Sequence, residues 1–385
     1  MKQPIKKTVV EKHNIDTVQP IYTLVVDGSS VLKTALVSNK MNSDGLEYGA
    51  IEIFFKIIKN VLVKRDFSKC FVFFDDSKSG QLRANIYPLY KANRDKTFDE
   101  PNMSAYDKKI SDYIKKVLAY SKEQKKHVEV KRGETDDERY DRTRSIILSM
   151  CDELFLRTYM STYVEADDLC AYVVHNRKPN EKICIISGDR DLTQLINDDV
   201  CLYVLQTKEI VTSNNSVEKL GYTHQNVILK KIFCGDVSDN IKGIQGIGEK
   251  TFFDLFPEAV TQKLSVDDII TKAKEINENR AKEKKKPLKS CTNIIESITD
   301  GIQGKDIYRI NEEIISLEKP LLTEEAEEFM KDFIDSPLDP EGRDMKNLYS
   351  IIMENKIESL YDERRFSDLF DAYGALIYRE KHFQG

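Results

Sequence analysis

Three apolar runs in this chain, IYTLVVD, CFVFFD and KICIISGD, each lead into an aspartate, and this constrains the fold more than any other feature. Short β-rich runs bounded by polar residues read as buried parallel strands, because a strand covered on both faces has no polar face to display. CLYVLQ reads as a further strand. EADDLCAYVVHN places apolar residues at 166, 169, 170, 173 and 174, the spacing of an amphipathic helix, and leads directly into KICIIS. DLTQLIN begins another helix, with Asp191 or Thr193 as its cap. This alternation predicts an α/β fold with a largely parallel central sheet, flanking helices and right-handed crossovers. In open sheets of that kind the working residues lie at the carboxyl ends of the strands, where Asp27, Asp75 and Asp189 stand.

Further acids crowd the same places: Glu165, Asp167 and Asp168 in EADD, Asp191 in SGDRDL, and Asp236 and Asp239 in GDVSDN. Taken singly, each reads as a helix cap or a solvated loop acid. Taken together, they would repel one another unless divalent cations neutralised them, and hard oxygen ligands suit magnesium, with manganese as a substitute. The set points to a metal-dependent phosphoryl-transfer site.

With 385 residues the chain can bury a full core as one large domain, or as one domain with a smaller appendage. No apolar run approaches the roughly 20 residues of a membrane span, and the polar MKQPIKKTVVEKHN lacks the apolar block of a secretory signal, so a cytoplasmic protein is expected. The seven cysteines form no CxxC or Cys/His spacing and read as reduced core residues. A formal charge of −6 looks wrong for a nucleic-acid binder, but setting aside the acids named above turns it to +3. Basic stretches remain at Lys122 to Lys126, at Lys131 and Arg132, and at Lys282 to Lys286.

Along the chain, residues 1–20 read as a weakly ordered arm and 21–98 as strand, helix and strand. The segment QLRANIYPLYKANRDK follows, where Pro88 breaks any continuous helix. Residues 99–162 are highly charged, with helical spacing in ISDYIKKVLAY and RSIILSMCDELFLRTY, and read as an insertion above the sheet. HQNVILKKIFCG and KTFFDLFPEAV read as helices bracketing a glycine-rich turn, residues 260–385 as mostly helical, and KEKKKPLKS as an exposed linker.

GIQGIGEKT departs from both nucleotide motifs it approaches. Glu249 separates Gly248 from Lys250 where a Walker A loop needs Gly-Lys-Ser/Thr, and a GxxGxG after a helix is not a dinucleotide fingerprint. Two readings stay open: a tight interhelical turn with no ligand, or a turn whose backbone N–H groups meet a phosphodiester.

VDGSS, FDDSKSGQLRANIYPLYKANRD, EADDL, ISGDRDLTQL and CGDVSDNIKGIQGIGEKT, in this order and spacing across about residues 21–256, resemble the flap endonuclease/5′-3′ exonuclease family, above all its bacteriophage and bacterial members. The resemblance implies a nuclease core over 21–259, an arch or clamp at 99–162, and a helix-two-turn-helix module at 223–256 that binds duplex DNA, with potassium at that module. Asp27, Asp75, Glu165, Asp167 and Asp189 match the ligands of a first metal cluster. Asp191, Asp236 and Asp239 match a second, and Asp168 joins the metal-site set from an outer position. Lys91 and Arg94 match basic residues that contact the scissile phosphate, where fixed cations stabilise developing charge. Tyr90 is expected to stack on a terminal base and Arg83 to contact phosphate; the plainer reading is a basic helix face with Tyr90 in the core. Lys242, Gly243, Gly246, Gly248 and Lys250 are expected to meet the duplex.

The function so implied is a freestanding, magnesium-dependent, structure-specific 5′ nuclease, expected to be a monomer. Its expected substrates are DNA with 5′ flaps or ends and RNA/DNA hybrids, as in primer and flap removal, and replication proteins such as a sliding clamp or a single-strand-binding protein are the expected partners. A noncatalytic DNA-junction binder on the same fold is the alternative, and the intact acid set argues against it.

Overall fold

The computed structural model describes residues 21–38, 40–92, 135–299, 304–339 and 341–382. The expected N-terminal arm, the basic stretches around residues 122–132 and Arg94 lie outside the described residues. Six strands form the main sheet: β1 (Ile21–Asp27), β2 (Phe67–Phe73), β3 (Arg157–Tyr159), β4 (Glu181–Ser187), β5 (Val200–Val204) and β6 (Glu209–Val211), in the order β3-β2-β1-β4-β5-β6. All neighbours run parallel except β5 and β6, which the short EIV segment joins as an antiparallel edge. The apolar run of β1 has water on neither face, with Leu24, Val25 and Val26 fully buried.

One face of the sheet packs against helices Gly28–Ala35, Gly49–Leu62, Asp136–Glu153, Met345–Glu354 and Glu363–His382. The opposite face carries Ala166–His175 and Glu324–Phe333. The last helix is a brace rather than an appendage: Phe370 and Tyr373 pack on Phe55, and the Tyr373 hydroxyl donates to the Phe55 carbonyl at 2.8 Å. A third core joins Val227–Cys234, Glu249–Leu255, Val266–Lys282, Lys289–Thr299 and Gly304–Ile315. Between the third and fourth of these helices, residues 283–288 form the exposed linker expected of KEKKKPLKS, from Glu283 to Leu288.

Several expectations need correction. Residues 135–162 are not an insertion above the sheet. Thr135 and Glu138 form a capping box that starts the helix Asp136–Glu153, whose Ile146, Ile147, Met150 and Cys151 are buried in the core. FLRTY does not continue that helix, because Arg157–Tyr159 pairs with Phe71–Phe73 as the opposite edge of the sheet. DLTQLIN forms a 3-10 helix, Arg190–Leu195, and its cap is Asp189, which accepts from the Asp191 amide at 2.8 Å. A two-residue ribbon, β7 (Gly235–Asp236) with β8 (Ile241–Lys242), interrupts the glycine-rich turn. Such a ribbon is too short for any periodicity to register.

All seven cysteines are free, and five are buried. Among the described residues no helix is long and apolar enough to cross a membrane.

Candidate active site

The strand order reverses direction between β1 and β4, and the carboxyl ends of β1, β2 and β4 open there into a cleft of about 730 Å³. In an open sheet a crevice forms at such a switch point, because the connections on either side leave to opposite faces. Asp27, Asp75, Glu165, Asp167, Asp189, Asp191, Asp236 and Asp239 all line it.

Each acid is aimed by the local fold. Asp27 caps the helix Gly28–Ala35, accepting from the Ser30 amide at 2.9 Å and from the Ser187 hydroxyl at 2.7 Å. The same hydroxyl accepts from the Asp189 amide at 2.9 Å, so Ser187 spaces two acids across the β1/β4 seam. Asp75 accepts from the Ala166 amide at 2.9 Å, which locks the end of β2 to the helix carrying Glu165, Asp167 and Asp168. Nothing in the sequence singled out Ser187, whose hydroxyl donates to Asp27 on another strand.

The electrostatics describe a site with excess negative charge. Burial, reinforced by Asp75, pushes the Asp27 carboxyl up to about 7. Burial and then Asp189 push Asp191 up to about 6, against the pull of Lys231. Burial also raises Asp167 well above the usual carboxylate range, despite Arg83 nearby. Glu165 is the exception: burial works against its charge, but Arg83 and Lys91 prevail and its carboxyl stays below the ordinary value.

Two lysines hold the carboxylates together. Lys91 binds Glu165 and lies 4.8 Å over the Tyr90 ring. Lys231 bridges Asp191 and Asp236, the latter at 2.5 Å, and burial notwithstanding it helps Ser238 hold Asp236 down to about 2. Lys231 was not singled out from the sequence; its only signal is a lysine pair in an apolar helix, one turn before GDVSDN.

The acids of Asp191, Asp236 and Asp239 bring carboxylate oxygens within 4.8 Å of one another, as expected of a second cluster. The described lining of the cleft contains no cysteine or histidine, so its donors are oxygens alone. That donor set, all oxygen and negative in excess, fits hard divalent cations.

Two site expectations are overturned in detail, those for Arg83 and Tyr90. Arg83 does not face a phosphate: its side chain is only 3% exposed, paired with Glu165 at 2.7 Å and with both oxygens of Asp168, and it also donates to the Ile314 carbonyl at 2.8 Å. Asp168 stands behind the cleft lining, as an outer position requires: it also accepts from the Leu321 amide at 2.9 Å, and its carboxylate groups with those of Glu165 and Asp167, with ligand oxygens within 4.8 Å of one another. Tyr90 has no free face for a base, because its ring is buried and its hydroxyl donates to Glu165 at 3.0 Å. Gly243 is a glycine for internal reasons: a Cβ there would collide with the backbone of Cys234 and Gly235. By contrast Lys242, Gly246, Gly248 and Lys250 are exposed, and a Cβ at Gly246 or Gly248 would meet nothing.

A family model described as the 5′-3′ exonuclease, N-terminal resolvase-like domain, matches residues 22–221. The chain belongs to the 5′-3′ exonuclease family. It is a nuclease, and so a hydrolase. The 5′-3′ exonuclease of Buchnera aphidicola subsp. Schizaphis graminum is 26% identical over 235 residues, covering 59% of this chain and 67% of that protein. DNA polymerase I of Bacillus subtilis is 31% identical over 148 residues, 37% of this chain but only 16% of the polymerase. Among solved structures, the bacteriophage T5 D15 flap endonuclease, in a pseudo-enzyme-product complex with DNA and metal ions, aligns with a TM-score of 0.54 at 19% identity, covering 86% of this chain and 98% of that one. The fold is that of the flap endonucleases.

Proposed function

We propose that this family member is a structure-specific, divalent-metal-dependent 5′ nuclease that hydrolyses phosphodiesters in branched DNA or RNA/DNA near a 5′ end, with removal of RNA primers and displaced flaps as its role. The observation that carries the reading is the convergence of nine carboxylates, the eight expected ligands and Glu249, on one cleft whose described lining holds six cations, Lys33, Arg83, Lys91, Arg190, Lys230 and Lys231. The DNA and metal ions bound by the T5 neighbour support it by analogy.

Asp27, Asp75, Glu165, Asp167 and Asp189 would hold one metal group, magnesium in this reading, and Asp191, Asp236 and Asp239 the other. When bound, such ions supply Lewis-acid stabilisation and an activated water for in-line displacement. The chain's own residues do the rest. Lys91 keeps a cation beside Glu165, where it offsets charge developing on the phosphoryl oxygens. Arg83 and Tyr90 fix Glu165 from below. The exposed backbone at Gly246 and Gly248 offers close approach to a duplex phosphate some way from the cut.

The test uses a 5′-labelled flap, a nicked duplex and an RNA-primed duplex, each with magnesium or with chelator. Magnesium-dependent release of products bearing a 5′-phosphate is expected. Tight binding to branched DNA with no cleavage in magnesium or manganese would replace this reading with the junction-binding one.

A further inference from the structure

Lys91 sits in a segment, residues 87–92, that follows the short helix Gln81–Ile86 and forms a turn that gives way to helix at Ala92. Its backbone φ is +53°, a left-handed conformation uncommon for a residue with a side chain. Two hydrogen bonds reach this segment from the loop that links β7 to β8. The Lys91 amide donates to the Asp239 carbonyl at 2.9 Å, and the Asn240 side-chain amide donates to the Leu89 carbonyl at 2.7 Å. Asn240 is itself left-handed, with φ +56°. Two loops about 150 positions apart therefore meet at two left-handed residues, and the bonds hold the peptide planes on either side of Tyr90, the second of which carries the Lys91 amide.

We propose that Asn240 is a positioning residue for Lys91: its amide clamps the 87–92 turn onto the loop carrying Asp236 and Asp239, so that the Lys91 cation and the second acid group keep a common frame. The inference rests on the reading of Lys91 as the cation at the scissile phosphate. The buried Tyr90 ring anchors one side of Lys91, and the paired bonds fix the peptide planes before and after Tyr90, which sets the point and direction from which Lys91 leaves the backbone. The plainer account is that asparagine closes the β7/β8 turn merely because it tolerates a left-handed backbone. Glycine tolerates that backbone better still but carries no amide, so the two accounts diverge at Asn240→Gly. Asn240→Asp keeps the size and turn preference and replaces the donor with an acceptor facing the Leu89 carbonyl.

The experiment measures single-turnover cleavage of a flap substrate at saturating enzyme in magnesium, with substrate affinity measured in calcium, for Asn240→Gly and Asn240→Asp in both the native and the Lys91→Ala background. Because a small misplacement of a catalytic group costs up to about 100-fold, both variants should slow the single-turnover rate by about 10- to 100-fold while leaving affinity within about twofold. In the Lys91→Ala background the same substitutions should change the rate by less than about twofold, since the group they position is gone. Circular dichroism and thermal melting check that each variant is folded. A full rate for Asn240→Gly beside a slow Lys91→Ala overturns the clamp and leaves the reading of Lys91 standing, as does equal slowing in both backgrounds. A full rate for Lys91→Ala overturns the reading of Lys91 and the clamp with it.

Discussion

Replacing Arg83 with methionine separates a buried structural cation from a phosphate contact. The guanidinium is 3% exposed and faces side chains of Glu165 and Asp168 that are 6% and 1% exposed, so the substitution leaves two carboxylates out of water without their countercharge. Removing one partner from a buried ion pair costs about 3–5 kcal/mol, because the remaining charge keeps its desolvation penalty and loses its attraction. The folded protein then favours protonated acids at these positions, whereas the unfolded chain ionises them at ordinary values. Folded carboxyls raised in this way bind more protons than the unfolded chain, so stability falls as pH rises above the unfolded range. The deficit of Arg83→Met should accordingly be larger at pH 8 than at pH 5. Urea unfolding at both pH values measures it, with Arg83→Lys expected to recover part of the loss, since lysine restores charge but not the fork that reaches both oxygens of Asp168. A calorimetric titration with magnesium should also weaken, because Glu165 no longer holds its charge. Unchanged stability at both pH values, combined with weaker binding to flap DNA, would refute this account and return Arg83 to the role of a phosphate contact.

Asp191→Asn with Asp236→Asn should abolish magnesium-dependent cleavage while preserving or strengthening binding to branched DNA, because the same charges that hold cations repel phosphate; turnover within a few-fold of the native protein, measured under single-turnover conditions, would sink the assignment. Gly248→Ala has φ −104° and open space around a new methyl, so it should melt normally yet weaken binding to duplex-bearing flaps, whereas Gly246→Ala, at φ +85°, should also lose about 1–2 kcal/mol of stability. Normal duplex binding by folded Gly248→Ala would show that no phosphate comes close there. In chelator, the native protein should lose stability as pH rises from about 4 to about 7, the window between the ordinary aspartate value and that of buried Asp27, and magnesium should restore it at pH 7.5. Melting curves that are flat across that window would contradict the crowded-acid account.

What the sequence by itself determined is the frame and its negative pole. Strands buried on both faces must be apolar throughout, so their ends show as the first charged residue, and Asp27, Asp75 and Asp189 were legible for that reason. The helix after Glu165 was equally legible, since its apolar stripe repeats at the helical period. What only the tertiary structure decided is which charges are spent inside the protein. Arg83 and Asp168 are of types that ordinarily stay at the surface, yet the carbonyl of Ile314 and the amide of Leu321, contributed by the C-terminal helical region, meet them and hold Arg83 as a support for Glu165. Lys231 and Ser187 became site residues in the same way, through partners on other segments. The edge strand Arg157–Tyr159 followed a similar rule, for three residues carry no period until β2 lies beside them. Periodicity records the contacts a segment makes along its own length, whereas the pairing of a buried charge depends on which distant segment arrives to meet it.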